Sequence, residues 1–270
     1  MMIFQHWTTR ILHENGTDIH FKACGATPEE AEKALEEKIA SFRRYVSGEA
    51  VEKETPSVPY ESPICEELCE TIDEHNIVTR NRYGSLVLNS EELLFLDVDI
   101  VSRTPGEFFR SLFGLSIPDS ETRLLNKIEK LRATEEYETL SLRVYETCAG
   151  YRLLLRKPAL ATLNSPEMNK IFRDFDTDEL YAELCRKQQC FRARLTPKPM
   201  RLELKKRYRT SFPWEEKDPE GRKAWLAEYE KQSEEYAVCR LIARIGRKFE
   251  SPAIEYHDRM TKAESRLPLA

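Results

Sequence analysis

The sequence predicts an α+β protein built on an RRM- or ferredoxin-like β-α-β-β-α-β sheet, with an N-terminal α+β extension and a C-terminal helical tail. Three observations carry this. From Leu93 to Thr196 short apolar runs alternate with helical patterns in that order. Residues 1–90 hold a separate set of hairpin and helix signals, and residues 211–270 show near-helical spacing of large apolar side chains. A 270-residue chain with 40% hydrophobic and 33% charged residues, 9 glycines and 14 prolines can bury a core, which excludes disordered, collagenous and low-complexity classes. The expected units are 1–90, 91–210 and 211–270.

In chain order, residues 3–24 alternate as a hairpin turning at Asn15-Gly16. Thr27-Pro28-Glu29-Glu30 opens a helix, with Thr27 as N-cap, Pro28 at the first helical position and Glu30 closing a capping box; it runs to about Val46 and stops at Ser47-Gly48. A Glu-, Ser- and Pro-rich connection then leads to a short helix expected near Ile64 to Glu74. Ser85 to Leu88 and Leu93 to Val101 read as strands, and Pro118 to Arg132 as a helix. Leu142 to Thr147 and Tyr151 to Arg156 read as strands joined through Cys148-Ala149-Gly150, where Gly150 can supply a positive φ. After Ser165-Pro166-Glu167 come one or two helices to about Cys185, and Phe191 to Thr196 forms a strand ended by Pro197 and Pro199. In such a sheet the first and third strands are central, and one face is left for ligands or another layer. Asp218-Pro219 begins the tail, where Trp225, Leu226, Tyr229, Tyr236, Leu241, Ile242 and Ile245 imply one long amphipathic helix to Gly246 that packs across the body.

The opening MMIFQHWTTR lacks a basic-then-apolar plan, no apolar run reaches the roughly 18–20 residues of a membrane span, and 7 scattered cysteines read as reduced thiols. A cytoplasmic protein is expected. The net charge of −5 excludes coating of nucleic acid by bulk attraction, but the charge is uneven. Pro28 to His75 carries fourteen carboxylates against five Lys or Arg, whereas Arg192 to Arg209 carries eight basic residues against Glu203 alone. That basic run is either a solvated face or a phosphate-attracting one.

The chemistry-bearing candidates lie on the predicted sheet. Asp97 and Asp99, two residues apart on an apolar strand, project from one face. Two neighbouring carboxylates repel unless a divalent cation, Mg²⁺ or Mn²⁺, or arginines neutralise them. Arg152 on the adjacent strand, with Arg192 and Arg194 on the following one, can share that face. They either grip a triphosphate beside the metal or simply neutralise the aspartates in a structural ion-pair network. Lys198, Arg201, Lys205, Lys206, Arg207 and Arg209, interleaved with or followed by Tyr208, Phe212 and Trp214, fit a single-stranded or primed nucleic acid; the rings equally fit a domain seam.

The order LFLDVDI, YETCAGYRLLL, FRARLTPKP resembles the archaeo-eukaryotic primase and primase-polymerase superfamily, over about 100 of the 270 residues. The resemblance implies an RRM-like catalytic module. Its D-x-D metal ligands map to Asp97 and Asp99, and its nucleotide-phosphate strand maps to Gly150, Tyr151 and Arg152, where Arg replaces the family's His. A third acidic motif has no clean counterpart, although Asp174, Asp176 and Asp178 lie upstream of Arg192 and Arg194. The implied activity is metal-dependent nucleotidyl transfer on a nucleoside triphosphate, with catalysis altered or lost by these departures. The alternatives are a non-catalytic nucleic-acid- or protein-binding module using the open sheet, and a structural protein whose C-terminal helix docks a protein partner. Zinc ligation by Cys65, Cys69 and His75, or by Cys185 and Cys190, is disfavoured by spacing, and no HExxH, Gly-x-Ser-x-Gly, Walker A or GxGxxG run is present.

Overall fold

Thr27 does cap the first helix. Its Oγ1 accepts from the Glu30 backbone N–H at 3.2 Å, while the Glu30 carboxylate reaches the N–H of Ala26 at 2.9 Å, one residue upstream of the capping-box position. The computed structural model describes residues 1, 3–4, 6–14, 16–48, 64, 66–81, 83–100, 118–156, 162–204 and 219–270. Helix α1 (Pro28–Val46) buries Leu35 and Ile39 with Ala23 against a hairpin of β1 (His6–Glu14) and β2 (Thr17–Gly25), which turns at Gly16 with φ +75°.

The rest is α+β with two four-stranded antiparallel sheets. One comprises β3 (Glu67–Thr71), β4 (Asn76–Arg80), β5 (Leu86–Ser90) and β9 (Phe191–Arg194), in that order. The other contains β6 (Leu93–Asp99), β7 (Leu142–Thr147), β8 (Gly150–Arg156) and β10 (Cys239–Ile245), in the order β10-β7-β8-β6. Helices α2 (Ser120–Arg132), α3 (Pro166–Asp174), α4 (Glu179–Gln188), α5 (Pro219–Ser233) and α6 (Pro252–Thr261) complete the described regular structure, with a 3₁₀ turn at Pro199–Arg201. No helix among the described residues is long and apolar enough to cross a membrane.

Several expectations change. The segment expected as a helix near Ile64 to Glu74 contains strand β3, an exposed edge strand with a bulge between Leu68 and Glu70. Polar partners hold it, Glu67 pairing with Arg80 and Arg222 and Glu70 accepting from the Tyr256 hydroxyl, so it shows no apolar alternation to read. The tail is not one long helix: α5 ends at Ser233 and β10 follows. A bulge between Leu241 and Ala243 interrupts the two-residue alternation of β10, which lets Leu241, Ile242 and Ile245 mimic helical spacing. Asp218, the expected cap, lies outside the described residues. Strand β6 neighbours β8 as expected, but it ends its hydrogen-bonded sheet, because β9 pairs with β5 instead.

One side chain bridges the facing edges of β6 and β9. The Tyr181 hydroxyl on α4 donates to Phe95 O at 2.7 Å and accepts from Arg192 N–H at 3.2 Å, so a phenol stands between two strand edges. Nor is the sheet face that carries Phe95 and Asp97 bare. Helix α6 lies over it, with the His257 ring 5.3 Å from Phe95 and 5.1 Å from Tyr145, centroid to centroid. On the opposite face, Leu94 and Leu155 line a cavity with Ile171 of α3 and Phe175.

Gly150 serves close approach rather than a positive φ. The turn is Cys148-Ala149, Gly150 begins β8, and a Cβ there would overlap the Val98 carbonyl and sit 3.0 Å from Asp99 Cα. Both obstacles are backbone, so Gly150→Ala is expected to destabilise the protein by about 1–3 kcal/mol. A chemical-denaturation midpoint unchanged from the parent protein would contradict this reading of the β6–β8 approach.

Candidate anion-binding site

The site is assembled at the end of β9. Phe191, Ala193 and Leu195 point inward and are fully buried, which sends Arg192 and Arg194 to the other side. Beyond Leu195 the chain is locked. Leu86 N–H donates to Thr196 Oγ1 at 2.9 Å, and Pro197 O accepts from Ser85 Oγ at 3.1 Å and from the Tyr229 hydroxyl at 2.8 Å. Pro199 then opens the 3₁₀ turn, closed by Arg201 N–H donating to Lys198 O at 2.8 Å. Arg194, Lys198 and Arg201 are thus presented, half-buried, from an anchored strand end and turn.

Beneath them lies Arg152, only 4% exposed and directly opposite Asp97 in the β6–β8 register. Its Nε donates to Asp97 Oδ1 at 3.0 Å, its Nη1 donates to Arg194 O at 3.1 Å, and the same Nη1 lies 3.5 Å from His257 Nε2. His257 is fully buried, with Nδ1 at 3.0 Å from Asp258 Oδ1 and Nε2 facing the Arg152 guanidinium. Burial, ahead of the opposing bond from Asp258, moves the His257 pKa down. Asp258 also accepts from Tyr145 OH at 2.7 Å and Arg143 Nη1 at 2.6 Å. Burial pushes the Asp258 carboxyl upward, yet His257, Tyr145 and Arg143 together hold it below its ordinary value.

The electrostatics above this network are one-sided. The Arg194, Lys198 and Arg201 side chains have no hydrogen bond or ion pair to any carboxylate among the described residues. Burial first, and then Arg152 and Arg201, bring Arg194 down to about 10, although Asp97 opposes this. Burial, Arg194 and Arg201 likewise lower Lys198. Burial and the neighbouring cations together disfavour the charged forms, and Asp97 offsets this only in part.

The sequence-predicted residues therefore divide. Asp97, Arg152, Arg194, Lys198 and Arg201 come together. Asp99 is exposed at the end of β6 without a side-chain partner among the described residues. Arg192, on the same strand as Arg194, is engaged elsewhere by Glu66, Asn89 Oδ1 at 2.8 Å and Gln188 Oε1 at 2.9 Å. Lys205, Lys206, Arg207, Arg209, Tyr208, Phe212 and Trp214 lie outside the described residues. Sequence reasoning passed over Tyr181, His257 and Asp258; the one available signal was Ser251-Pro252 opening a short helix, since Ser251 Oγ does accept from Ile254 N–H at 3.3 Å.

The residues present do not fit the implied Mg²⁺ or Mn²⁺ centre. Asp97 is committed to a buried guanidinium, Asp99 stands alone beside it, and no group of three His, Cys, Asp or Glu among the described residues can hold a metal ion. Cys185 and Cys190 are both buried, and burial pushes each thiol up to about 12. Cys65 lies outside the described residues. Comparison of the chain with protein-family models, with curated proteins and with solved structures gives no significant match.

Proposed function

We propose that this protein binds nucleic acid, acting as a non-catalytic module that grips phosphate through Arg194, Lys198 and Arg201 and through the basic run continuing to Arg209. The observation that carries this is the set of three half-buried cations presented from one anchored strand end and turn, whose side chains have no hydrogen bond or ion pair to a carboxylate among the described residues. Phosphate oxygens supply the missing charge, and arginine accepts them in bidentate geometry. The fold is read accordingly as an RRM-like sheet in which β7, β8, β6 and β9 follow one another in space and Tyr181 holds the last pair apart. The face beneath the helix α6 is not the binding face; the cationic end of the sheet is.

Primase-type nucleotidyl transfer is the second reading, favoured by Asp97 and Asp99 on one strand face at the edge of the cluster. It asks for a metal that the pairing of Asp97 with Arg152 does not favour. Fluorescence anisotropy with a labelled single-stranded oligonucleotide tests the leading reading. The affinity is expected to fall steeply with added salt, with a log–log slope of roughly −0.7 for each phosphate neutralised. A double variant, Lys198→Gln with Arg201→Gln, is expected to flatten that slope by about 1 to 1.5. Salt-independent binding, or none at low salt, rules out the nucleic-acid reading.

A further inference from the structure

We infer that the cavity between the β6–β8 sheet face and helix α3 is a binding site for an amphipathic anion, a small molecule with an apolar acyl or aromatic body and a single carboxylate or phosphoryl head. The site lies on the sheet face away from α6 and is independent of the nucleic-acid reading.

Sheet register builds the mouth. Leu142 on β7 pairs with Leu155 on one side and with Ile245 on the other, so β8 ends at Arg156 and β10 runs out into Gly246-Arg247 on either side of the start of β7. Two strand spacings separate these ends by roughly 10 Å, a span that two arginine side chains can close around one head group. The β10 end is pinned in place. Gly246 has φ +80°, a Cβ there would lie 2.5 Å from Leu140 O, and Arg247 N–H donates to Ser141 Oγ at 2.9 Å. Arg156 and Arg247 both line the cavity, whose volume is about 650 Å³.

Below the mouth the walls are apolar and fixed. Leu94 and Leu155 come from the sheet, Ile171 from α3 and Phe175 from just beyond it, and all four are otherwise buried. The Tyr137 wall is held three ways: its hydroxyl donates to Asp174 Oδ2 at 2.7 Å, Lys170 Nζ stands 5.2 Å over its ring, and Phe175 meets it edge-on at 5.8 Å between centroids. Small-molecule sites have volumes of roughly 300–1,000 Å³ and join apolar walls to a few polar groups, as this cavity does.

Charge selects the ligand. Of the five charged residues lining the cavity, three are already answered. Glu136 pairs with Lys170, Lys248 pairs with Glu250 at 3.4 Å, and Glu167 is held below its ordinary value by its own backbone N–H and by Ser165. The Arg156 and Arg247 side chains have no hydrogen bond or ion pair to a carboxylate among the described residues. The remaining charge is positive, and arginine grips carboxylate or phosphoryl oxygens in bidentate geometry. A neutral apolar molecule leaves that charge unanswered, and a cation adds to it.

Isothermal titration calorimetry on the full chain with octanoate tests the site. Saturable binding of one octanoate per chain is expected, weakening about three- to fourfold for each methylene removed on going to hexanoate. Octanol and octylammonium are expected to bind about tenfold more weakly than octanoate, or less tightly still. The double variant Arg156→Gln with Arg247→Gln is expected to weaken octanoate about tenfold while leaving octanol unchanged. Both arginines are exposed, so this variant keeps the fold. Ile171→Phe, which fills the cavity, is expected to weaken octanoate and octanol alike; should it fail to fold, the arginine pair still decides. Competition between octanoate and octyl phosphate identifies the head group, and preference for either supports the site. Absence of saturable binding by both amphiphiles, an affinity indifferent to chain length, or octanoate binding untouched by the arginine double variant overturns the inference.

Discussion

Replacing Asp258 with alanine is expected to lower folding stability by about 3–5 kcal/mol, the loss typical of breaking a buried charge network by removing one partner. Asp258 on α6 is where three donors from two elements meet: Arg143 Nη1 and Tyr145 OH from β7, and its own neighbour His257 Nδ1. Arg143 is 4% exposed, and although Glu250 and Phe249 O also hold it, the loss of one carboxylate leaves a nearly buried cation with a reduced set of acceptors. Asp258→Asn should cost less, since its amide oxygen still accepts one of the three bonds. Urea denaturation measures both, and a loss below about 1 kcal/mol for the alanine variant would show that α6 is held by its apolar contacts alone. The pH dependence gives an independent check. The folded pKa of Asp258 lies below its ordinary value of 3.8, so its contribution is fully present above that value and disappears as pH falls through the folded pKa. The stability of Asp258→Ala should therefore decline less than that of the parent on going from neutral pH into this acid range.

The same network marks the limit of what the sequence reveals. Asp97 and Arg152 were legible as partners because D-x-D on an apolar strand and an arginine in the middle of the next strand must share a sheet face, and register then places them opposite each other. The neutralising role that competed with metal binding in the sequence reading is the one found for Arg152. Lys198 and Arg201 were legible as charge, but their presentation with Arg194 depends on the Pro197 and Pro199 turn being fastened by Tyr229 from a helix more than twenty residues away. Nothing local to the basic run encodes that. Arg192 shows the converse, because strand alternation puts it on the same side as Arg194, yet Glu66 and Asn89 claim it at the other end of the strand. Long-range partners decide which cations stay available, and a single sequence read by period and spacing has no access to them. Strand β10 was hidden for a different reason, its bulge having erased the alternation by which strands are recognised.

Tyr181→Phe carries the second large effect, because one hydroxyl substitutes for a stretch of missing sheet ladder. In its absence Phe95 O and Arg192 N–H, which the phenol satisfies at 2.7 and 3.2 Å, face each other across a gap lined by a ring that can bond neither. Each buried backbone group left unpaired costs about 1–3 kcal/mol, so the expected loss is roughly 2–5 kcal/mol. The strands have one escape, which is to close the gap and pair directly as β6 and β9 would in an uninterrupted sheet. That would require moving the aromatic ring out of a packed core, which interiors of ordinary density resist. Amide hydrogen exchange separates the two outcomes: loss of protection at Arg192 together with lower global stability supports the wedge, whereas retained protection at near-parental stability shows that the strands have zipped. The same variant also links the seam to the site. Strand β9 delivers Arg194, and the Arg194 carbonyl is what Arg152 Nη1 holds at 3.1 Å. A seam that loosens in Tyr181→Phe should therefore weaken oligonucleotide binding several-fold, while a seam that zips would shift β9 against β8 and change the affinity without any loss of stability.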